Sequence, residues 1–336
     1  MKKILVTGGL GYIGSHTVVE LQNKGYEVVV IDNLSNSKLE VKKRIERITG
    51  KPFELLVGDV NDPNVLEQLF SKSSFDGVIH FAAFKAVGES VDFPIKYYQN
   101  NVSGLITLLA AMDKYETKNL IFSSSCTVYG TVKDLPVNEN SPIQEAESPY
   151  GTTKILCEEI LQDYVKHKPL NVILLRYFNP VGAHPSSEIG ELPLGVPNNL
   201  VPFITQTAAG IREKITVFGN DYNTIDGTCV RDYIHVVDLA DAHVKALEFA
   251  ESMSTSIDVF NIGTGNGNTV LEVIKAFEQA NEMKLNYQIG ARRAGDVEQI
   301  WADTTKVSNV LGWNARYNLN DMMKHAWKWQ ENLENN

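Results

Sequence analysis

The feature that most constrains this chain is its beginning. A short apolar run, Ile4-Leu5-Val6-Thr7, passes straight into Gly8-Gly9-Leu10-Gly11-Tyr12-Ile13-Gly14, and a helical pattern continues to Lys24. The spacing Gly8-x-x-Gly11-x-x-Gly14 lets the backbone turn tightly and approach an anion. The last glycine lets the helix pack close on the strand, with its N-terminus aimed at a diphosphate. The next apolar run, Glu27–Asp32, ends in an acid eighteen residues beyond Gly14. A carboxylate there accepts hydrogen bonds from both hydroxyls of an adenosine ribose and repels a 2′-phosphate, which points to NAD rather than NADP. A structural glycine turn followed by a surface acid is the plain alternative.

The rest of the first half continues the alternation. Apolar runs at 54–57, 77–81, 119–123 and 172–176 read as strands, and 63–70, 102–114 and 149–168 read as helices. Near-continuous apolar strands separated by helices indicate a parallel sheet covered on both faces. After about residue 177 the pattern changes: 179–230 is rich in Pro, Gly and Asn, with one strand signal at 214–218. Helical patterns at 236–250, 270–280 and 320–333 alternate with extended runs at 258–262 and 285–289. The fold class expected is α/β: a doubly wound, Rossmann-like parallel sheet with a smaller α+β lobe. Residues 1–177 with about 234–261 would form the dinucleotide-binding domain, and about 178–233 with 262–336 the substrate lobe. A chain of 336 residues suits about two such domains.

Two further motifs carry chemistry. In Ser148-Pro149-Tyr150-Gly151-Thr152-Thr153-Lys154, Ser148 caps a helix that Pro149 starts, so Tyr150 and Lys154 stand one turn apart on one face. A free phenol, with a pKa of about 10, is a poor base at neutral pH. A nearby ammonium and a nicotinamide cation would both favour the phenolate. The strand at 119–122 ends in Ser123-Ser124-Ser125-Cys126-Thr127-Val128-Tyr129-Gly130, where a hydroxyl can share the proton Tyr150 takes. The bland readings are a packing pair and a polar strand end. A second glycine run, Gly263-Thr264-Gly265-Asn266-Gly267-Asn268-Thr269, lacks a phosphate-loop ending and reads as a turn with Thr269 as helix N-cap.

Composition removes whole classes of function. With 41 Asp and Glu against 31 Lys and Arg, the formal charge is -10, which argues against nucleic acid or an anionic membrane as partner. Small anionic ligands remain open, since local charge and helix ends hold them. Three cysteines, Cys126, Cys157 and Cys229, form neither a disulfide framework nor a zinc ribbon and fit a reducing compartment. The apolar start stops at Thr7, too early for a signal peptide, and no apolar stretch approaches the ~20 residues of a membrane helix. The chain reads as soluble and cytoplasmic. Its seven histidines show no metal spacing, and the sequon Asn101-Val102-Ser103 has no role in the cytoplasm.

Taken together, Thr7-Gly8-Gly9-x-Gly11-Tyr12-Ile13-Gly14, the serine run and Tyr150-x-x-x-Lys154 resemble the extended short-chain dehydrogenase/reductase superfamily. Four longer segments narrow the likeness to the UDP-glucose 4-epimerase family. They are Asp32-Asn33-Leu34-Ser35-Asn36-Ser37, His80-Phe81-Ala82-Ala83-Phe84-Lys85-Ala86-Val87-Gly88-Glu89-Ser90, Arg176-Tyr177-Phe178-Asn179-Pro180-Val181-Gly182-Ala183 and Arg231-Asp232-Tyr233-Ile234-His235-Val236. That resemblance implies that Tyr150 removes the proton from the sugar O4, aided by Ser125, while Lys154 holds the nicotinamide ribose. Hydride leaves C4 for NAD, the 4-keto sugar presents its other face, and the hydride returns, so NAD stays bound through turnover. UDP-galactose and UDP-glucose are interconverted.

By the same matching, Gly8, Gly11, Tyr12, Ile13, Gly14, Asp32, Asn33, Asn36 and Ser37 would meet NAD. So would Asp59, Val60, Phe81, Ala82, Ala83, Lys85, Asn100 and Phe178, with the catalytic Ser125, Tyr150 and Lys154. The UDP-sugar would meet Lys85, Asn179, Asn199, Leu200, Val217 and Phe218, then Arg231, Tyr233, Arg293, Asp296 and Ile300. Arginine suits a diphosphate clamp; surface ion pairs are the alternative for Arg231 and Arg293. Two departures stand out: Cys126 where alanine is usual, and Ala294 where an acid is usual. Some members carry tyrosine where this chain has Ile300, and the smaller side chain suggests that N-acetylated UDP-hexosamines also fit.

Three rivals remain. A nucleotide-sugar dehydratase needs an acid and base beside the active hydroxyl, but the chain reads Ser125-Cys126-Thr127 there. An NAD-dependent reductase would have to release its cofactor. A catalytically silent NAD-binding scaffold would have little use for Ser125, Tyr150 and Lys154 together. A homodimer is expected from the resemblance alone.

Overall fold

A computed structural model describes residues 1–132, 134–253, 256–293 and 295–334; Ala294 lies outside the described residues. The chain divides into two compact units. One comprises Met1–Gly130, Glu139–Tyr177 and Ala240–Phe260, the other Thr131–Asn138, Phe178–Leu239 and Asn261–Asn336.

The first unit opens with β1 (Lys3–Thr7), α1 (Tyr12–Asn23), β2 (Glu27–Asp32), α2 (Glu40–Thr49), β3 (Glu54–Val57), α3 (Pro63–Phe70) and β4 (Gly77–His80). Short helices α4 (Val87–Asp92) and α5 (Pro94–Tyr97) and a π-helical turn (Tyr98–Val102) lead into α6 (Ser103–Lys114). Strand β5 (Asn119–Ser125), a 3-10 turn (Cys126–Tyr129), α7 (Pro149–Tyr164) and β6 (Asn171–Tyr177) follow. The second unit contains β7 (Asn179–Val181), α8 (Leu200–Ala208), β8 (Ile215–Phe218) and β9 (Val230–His235). Helix α9 (Val236–Ala250) and strand β10 (Ile257–Ile262) each carry residues of both units. The chain ends with β11 (Gly267–Thr269), α10 (Val270–Asn281), β12 (Tyr287–Gly290), β13 (Gln299–Ile300), α11 (Thr305–Leu311) and α12 (Leu319–Glu334).

Seven strands form one sheet in the order β10-β6-β5-β4-β1-β2-β3, and the ladders from β6 through β3 are parallel. Leu5, Val29, Val78, Leu120 and Leu174 are buried with Leu66, Leu108 and Leu161 from the covering helices. The chain runs outward from β1 to β3, then returns to β4 on the other side of β1. The strand order therefore reverses between β1 and β4, and the carboxyl ends of those two strands bound the crevice where such sheets hold ligands.

In the second unit β9 is the spine: β7 and β13 pair with it in parallel and β11 antiparallel, while β8 and β12 form a separate parallel pair. Val181, Ile204, Ile215, Phe277, Met322 and Met323 fill the core of this unit. The second glycine run is the expected turn, and Thr269 caps α10 in a capping box with Glu272.

Several elements differ from the sequence reading. Helix α7 stops at Tyr164 rather than at residue 168, since Pro169 disfavours helical backbone just before it. Helix α2 was not expected: it buries only Ile45, and its polar faces are held by Lys42–Glu46 and Arg44–Glu40 pairs at i, i+4. Strands β7, β9, β11 and β13 and helices α8 and α11 arise in stretches to which the sequence reading gave no strand or helix. Strand β5 continues to Ser125, two residues past the expected end, which puts the third serine on the sheet itself.

Candidate active site

At the reversal point β1 ends in Gly8, whose backbone takes φ +68°, a value open to glycine at little cost. A methyl on Gly8 would stand 2.9 Å from the Ala82 amide nitrogen, so the loops after β1 and β4 touch backbone to backbone. Gly11 is the N-cap of α1 and uses no side chain for it, leaving the first amides of the helix to a ligand. A methyl on Gly14 would lie 2.3 Å from the Gly8 carbonyl oxygen, so helix and loop close only around glycine. Asp32 closes β2; its Oδ2 accepts from the Leu10 amide at 3.0 Å, and its Oδ1 from the Leu34 amide at 2.9 Å and the Ser37 hydroxyl at 2.7 Å. The acid is thus fixed at the rim by the loops on either side.

These parts enclose a groove of about 640 Å³ that is open to solvent. Of the residues expected around NAD, Gly8, Gly11, Asp32, Asn33, Asn36 and Ser37 line it. Asp59, Val60, Phe81, Ala82, Ala83 and Asn100 line it from the loops after β3 and β4 and from the π-helical turn. Ile31, Ser35, Gly58, Asn61 and Phe84 line it as well, and the sequence reading had missed them. Each is a chain neighbour of an expected residue, which is the signal that could have found it. Asn61 is held by Asp59, whose carboxyl sits below its usual range: bonds from Asn61 and Asn33 outweigh its burial. Tyr12, Ile13, Gly14, Lys85, Ser125, Tyr150, Lys154 and Phe178 are not among the lining residues. Lys85 instead places its ammonium 5.7 Å from the centre of the Tyr12 ring.

Helix α7 begins as its sequence dictates. The Ser148 hydroxyl accepts from the Gly151 amide at 3.2 Å, and Pro149 is the first helical residue. Tyr150, Lys154 and Ser125 are 7%, 5% and 7% exposed. The Ser125 hydroxyl accepts from the Thr127 amide at 3.2 Å and stands close enough to the Tyr150 phenol to favour its ionised form. The Lys154 ammonium donates to the Ser123 carbonyl oxygen at 2.7 Å and lies 4.9 Å from the centre of the Phe122 ring.

One electrostatic expectation is corrected. Burial, with the Tyr177 phenol nearby, pushes the Tyr150 phenol well above its ordinary range, against the pull of Ser125. Burial also pushes Lys154 down to about 8, opposed by Cys157 and Glu158. Lys154 stands 5.9 Å from the Tyr150 ring centre and spends a donor on Ser123, so its spacing alone does not favour the phenolate. The residues of the chain hold a neutral phenol, and a second positive charge is needed beside it.

The second unit gathers most of the residues expected around a UDP-sugar. On the β9 spine, Asn179 of β7 lies opposite Tyr233, and Ile300 of β13 lies opposite Arg231. Asp296 pairs with Arg293 at 2.6 Å and with Arg231 at 3.8 Å, so one carboxylate joins both arginines. The Arg293 guanidinium lies 5.6 Å from the centre of the Phe218 ring, next to the buried Val217. Asn199 caps α8 with its backbone and donates its side chain to Glu191, and Leu200 starts the helix. Phe178 is buried at the start of this unit. The ion pairs weighed for Arg231 and Arg293 do form, with the acid that was itself expected to meet the ligand.

The sequence model of the GDP-mannose 4,6 dehydratase family matches residues 5–326. The chain is 53% identical over 329 residues to a UDP-glucose 4-epimerase of Dictyostelium discoideum, covering 98% of this chain and 95% of that one. It is 51% identical to the UDP-glucose 4-epimerase of Bacillus subtilis, covering 99% and 98%. This chain belongs to the UDP-glucose 4-epimerase family. Solved members share its fold. The UDP-glucose 4-epimerase from Stenotrophomonas maltophila, with bound NAD and formylated UDP-arabinopyranose, superposes with a TM-score of 0.97 at 47% identity, covering 100% and 99% of the two chains. The enzyme from Bifidobacterium longum in complex with NAD+ and UDP superposes with a TM-score of 0.96, also at 47% identity, covering 99% of each.

The residues present fit a dinucleotide. The cradle has no room for side chains at Gly8 and Gly14, Gly11 caps α1 without a side chain, and Asp32 stands at the end of the neighbouring strand. Among the described residues no helix is long and apolar enough to cross a membrane. Nor do any three His, Cys, Asp or Glu side chains among them group as metal ligands would.

Proposed function

We propose that the chain interconverts UDP-galactose and UDP-glucose by NAD-dependent epimerisation at C4 of the sugar. The observation that carries this reading is the buried Ser125–Tyr150–Lys154 cluster at the carboxyl end of β5, on a sheet whose reversal point carries the glycine cradle and Asp32. The first unit takes the dinucleotide and the second the UDP-sugar, its two linked arginines facing the diphosphate.

NAD, when bound, supplies a two-electron acceptor that removes hydride from C4 and gives it back, together with a positive charge. That charge is what the Tyr150 phenol lacks: beside it, the phenol would release its proton to solvent and, as phenolate, would accept the proton of the sugar 4-hydroxyl. Ser125 shares that proton from its place beside Tyr150, and the same phenol returns it when the opposite face is reduced. Lys154, anchored on the Ser123 carbonyl, would hold the ribose of the dinucleotide with its remaining donors.

The dehydratase reading finds no carboxylate beside Ser125, since Cys126 and Thr127 follow it. Incubating the purified protein with UDP-galactose and no added NAD is the test. Formation of UDP-glucose without a steady change at 340 nm supports epimerisation; a continuous change at 340 nm means a net reductase, and no product sinks the proposal.

Three further readings rest on narrower support. Ile300, opposite Arg231, leaves the sugar pocket smaller-walled than a tyrosine would, so UDP-N-acetylglucosamine is also turned over. Exposed Val87, Val91, Phe93, Ile95 and Ile106 lie close in sequence on the first unit and favour a homodimer; sedimentation as a monomer at micromolar concentration overturns it. Three free cysteines suit the reducing cytoplasm.

A further inference from the structure

Three consecutive serines end β5, and three consecutive turns of α7 grip them. Tyr150 stands beside the Ser125 side chain, Lys154 holds the Ser123 carbonyl, and Glu158, the next residue on the same face, accepts from the Ser124 hydroxyl. Glu158 is fully buried and forms a two-point ion pair with Arg176 of β6, Nη2 to Oε2 at 2.6 Å and Nε to Oε1 at 3.0 Å. The remaining face of the guanidinium meets Tyr129: Nη1 donates to the phenol oxygen at 3.2 Å, and the ring centre lies 5.0 Å away. One carboxylate therefore ties α7, β5 and β6, and through Arg176 the turn after β5.

A buried ion pair is a poor way to gain stability, because desolvating two charges offsets most of their attraction. Its use lies in geometry: two parallel bonds fix both the height and the rotation of α7 on the sheet. That register decides whether Tyr150 reaches Ser125. It also places a negative charge one turn from Lys154, where burial works against the ammonium. We propose that Glu158 and Arg176, with Ser124 as the link to the strand, are positioning residues for the reacting groups. They hold Tyr150 and Ser125 together and keep Lys154 cationic. The proposal rests on the role given above to Tyr150 and Lys154.

The groups facing Lys154 are few. Cys157, Glu158 and Tyr150 share its helix, the Ser123 carbonyl and Phe122 ring come from β5, and His80 comes from β4. Burial pushes His80 down to about 3, so it stays neutral through the working range. The Glu158 carboxyl favours the Lys154 ammonium, and its loss lets Lys154 shed its proton at lower pH.

The test follows kcat and KM for UDP-galactose against pH in the protein with its retained cofactor. The double variant Glu158→Met with Arg176→Met removes both charges at similar volume, a change buried pairs often tolerate in stability. Ser124→Ala removes a single bond. The expected result is a kcat about 10-fold lower in the double variant and about 3-fold lower in Ser124→Ala, with KM within about twofold. The alkaline limb of kcat moves down by about one pH unit in the double variant. Ser124→Thr, which restores the hydroxyl, recovers the loss. A purely structural pair would lower the melting temperature and leave the limb in place, so wild-type kcat and limb in both variants overturn the proposal. Should the double variant not fold, Ser124→Ala decides alone: wild-type kcat in it overturns the proposal, and a loss that Ser124→Thr restores supports it. Tyr150→Phe is run beside them. Full activity there removes the underlying reading, whereas an inactive Tyr150→Phe with unaltered positioning variants removes only this inference.

Discussion

The two units treat charge in opposite ways. In the first, the reacting groups are sealed: Tyr150, Lys154 and Ser125 are each at most 7% exposed, and burial moves two of them far from their ordinary pKa. In the second, the charged residues proposed to meet substrate stay wet; the Arg293 side chain is 56% exposed and that of Arg231 17%. The difference follows from the tasks. Moving a proton at a chosen atom needs a phenol whose proton affinity a neighbouring charge can reset, and such coupling is strong only out of water. Holding a diphosphate needs cations that can reach a ligand, and the two arginines proposed for that role are joined through Asp296.

The largest expected effect tests the sealed unit. Tyr150→Phe should lower kcat by about 10³-fold, within the usual reach of a general base, while bound NAD and melting temperature stay unchanged. A variant near wild-type activity would break the comparison outright. Next come the two arginines. Arg231→Met should raise KM for UDP-galactose about 100-fold and Arg293→Met about 10-fold, the more exposed charge being worth less, with kcat nearly kept. Equal effects, or effects on kcat alone, would show that exposure is not what separates them. Gly14→Ala probes the cradle: its methyl would meet the Gly8 carbonyl at 2.3 Å, so thermal unfolding should register about 1–3 kcal/mol of destabilisation together with loss of co-purifying NAD.

Acidity gives a milder handle. Lys154 sits at about 8 in the folded chain against 10.5 when free, so activity that needs its ammonium should fall as pH rises through about 8. The sign for stability is opposite: the protonated form is the penalised one, so the penalty is complete below about 8 and is relieved as pH climbs towards 10.5. A pH–rate profile flat to pH 10 would remove Lys154 from that role. The smallest change is expected at Ile300→Tyr, which should abolish turnover of UDP-N-acetylglucosamine and leave UDP-glucose within about twofold. Turnover of both sugars by that variant would place the selecting wall elsewhere.

Legibility in the sequence divides along the same line. The glycine spacing, Asp32 and the strand–helix alternation of the first unit could be read directly, because buried parallel strands must be apolar runs and tight backbone approaches must be glycine. Helix α2 escaped because its stability comes from surface pairs around a single buried Ile45. Strands β7, β9 and β13 escaped for another reason: short strands of mixed polarity owe their state to partners distant in sequence, and Arg231 meets Ile300 only in the folded sheet.

By itself, then, the sequence determined the doubly wound sheet, the place of its dinucleotide cradle and the Tyr150–Lys154 helix, since each is written in periodicity or in short fixed spacings. Only the tertiary structure decided that Lys154 leans on Ser123 and leaves the phenol neutral, that Asp296 joins two arginines, and that Glu158 and Arg176 lock the third turn of α7 to the second strand serine, Ser124. Those outcomes depend on desolvation and on contacts between residues far apart in the chain, and neither has a local signature.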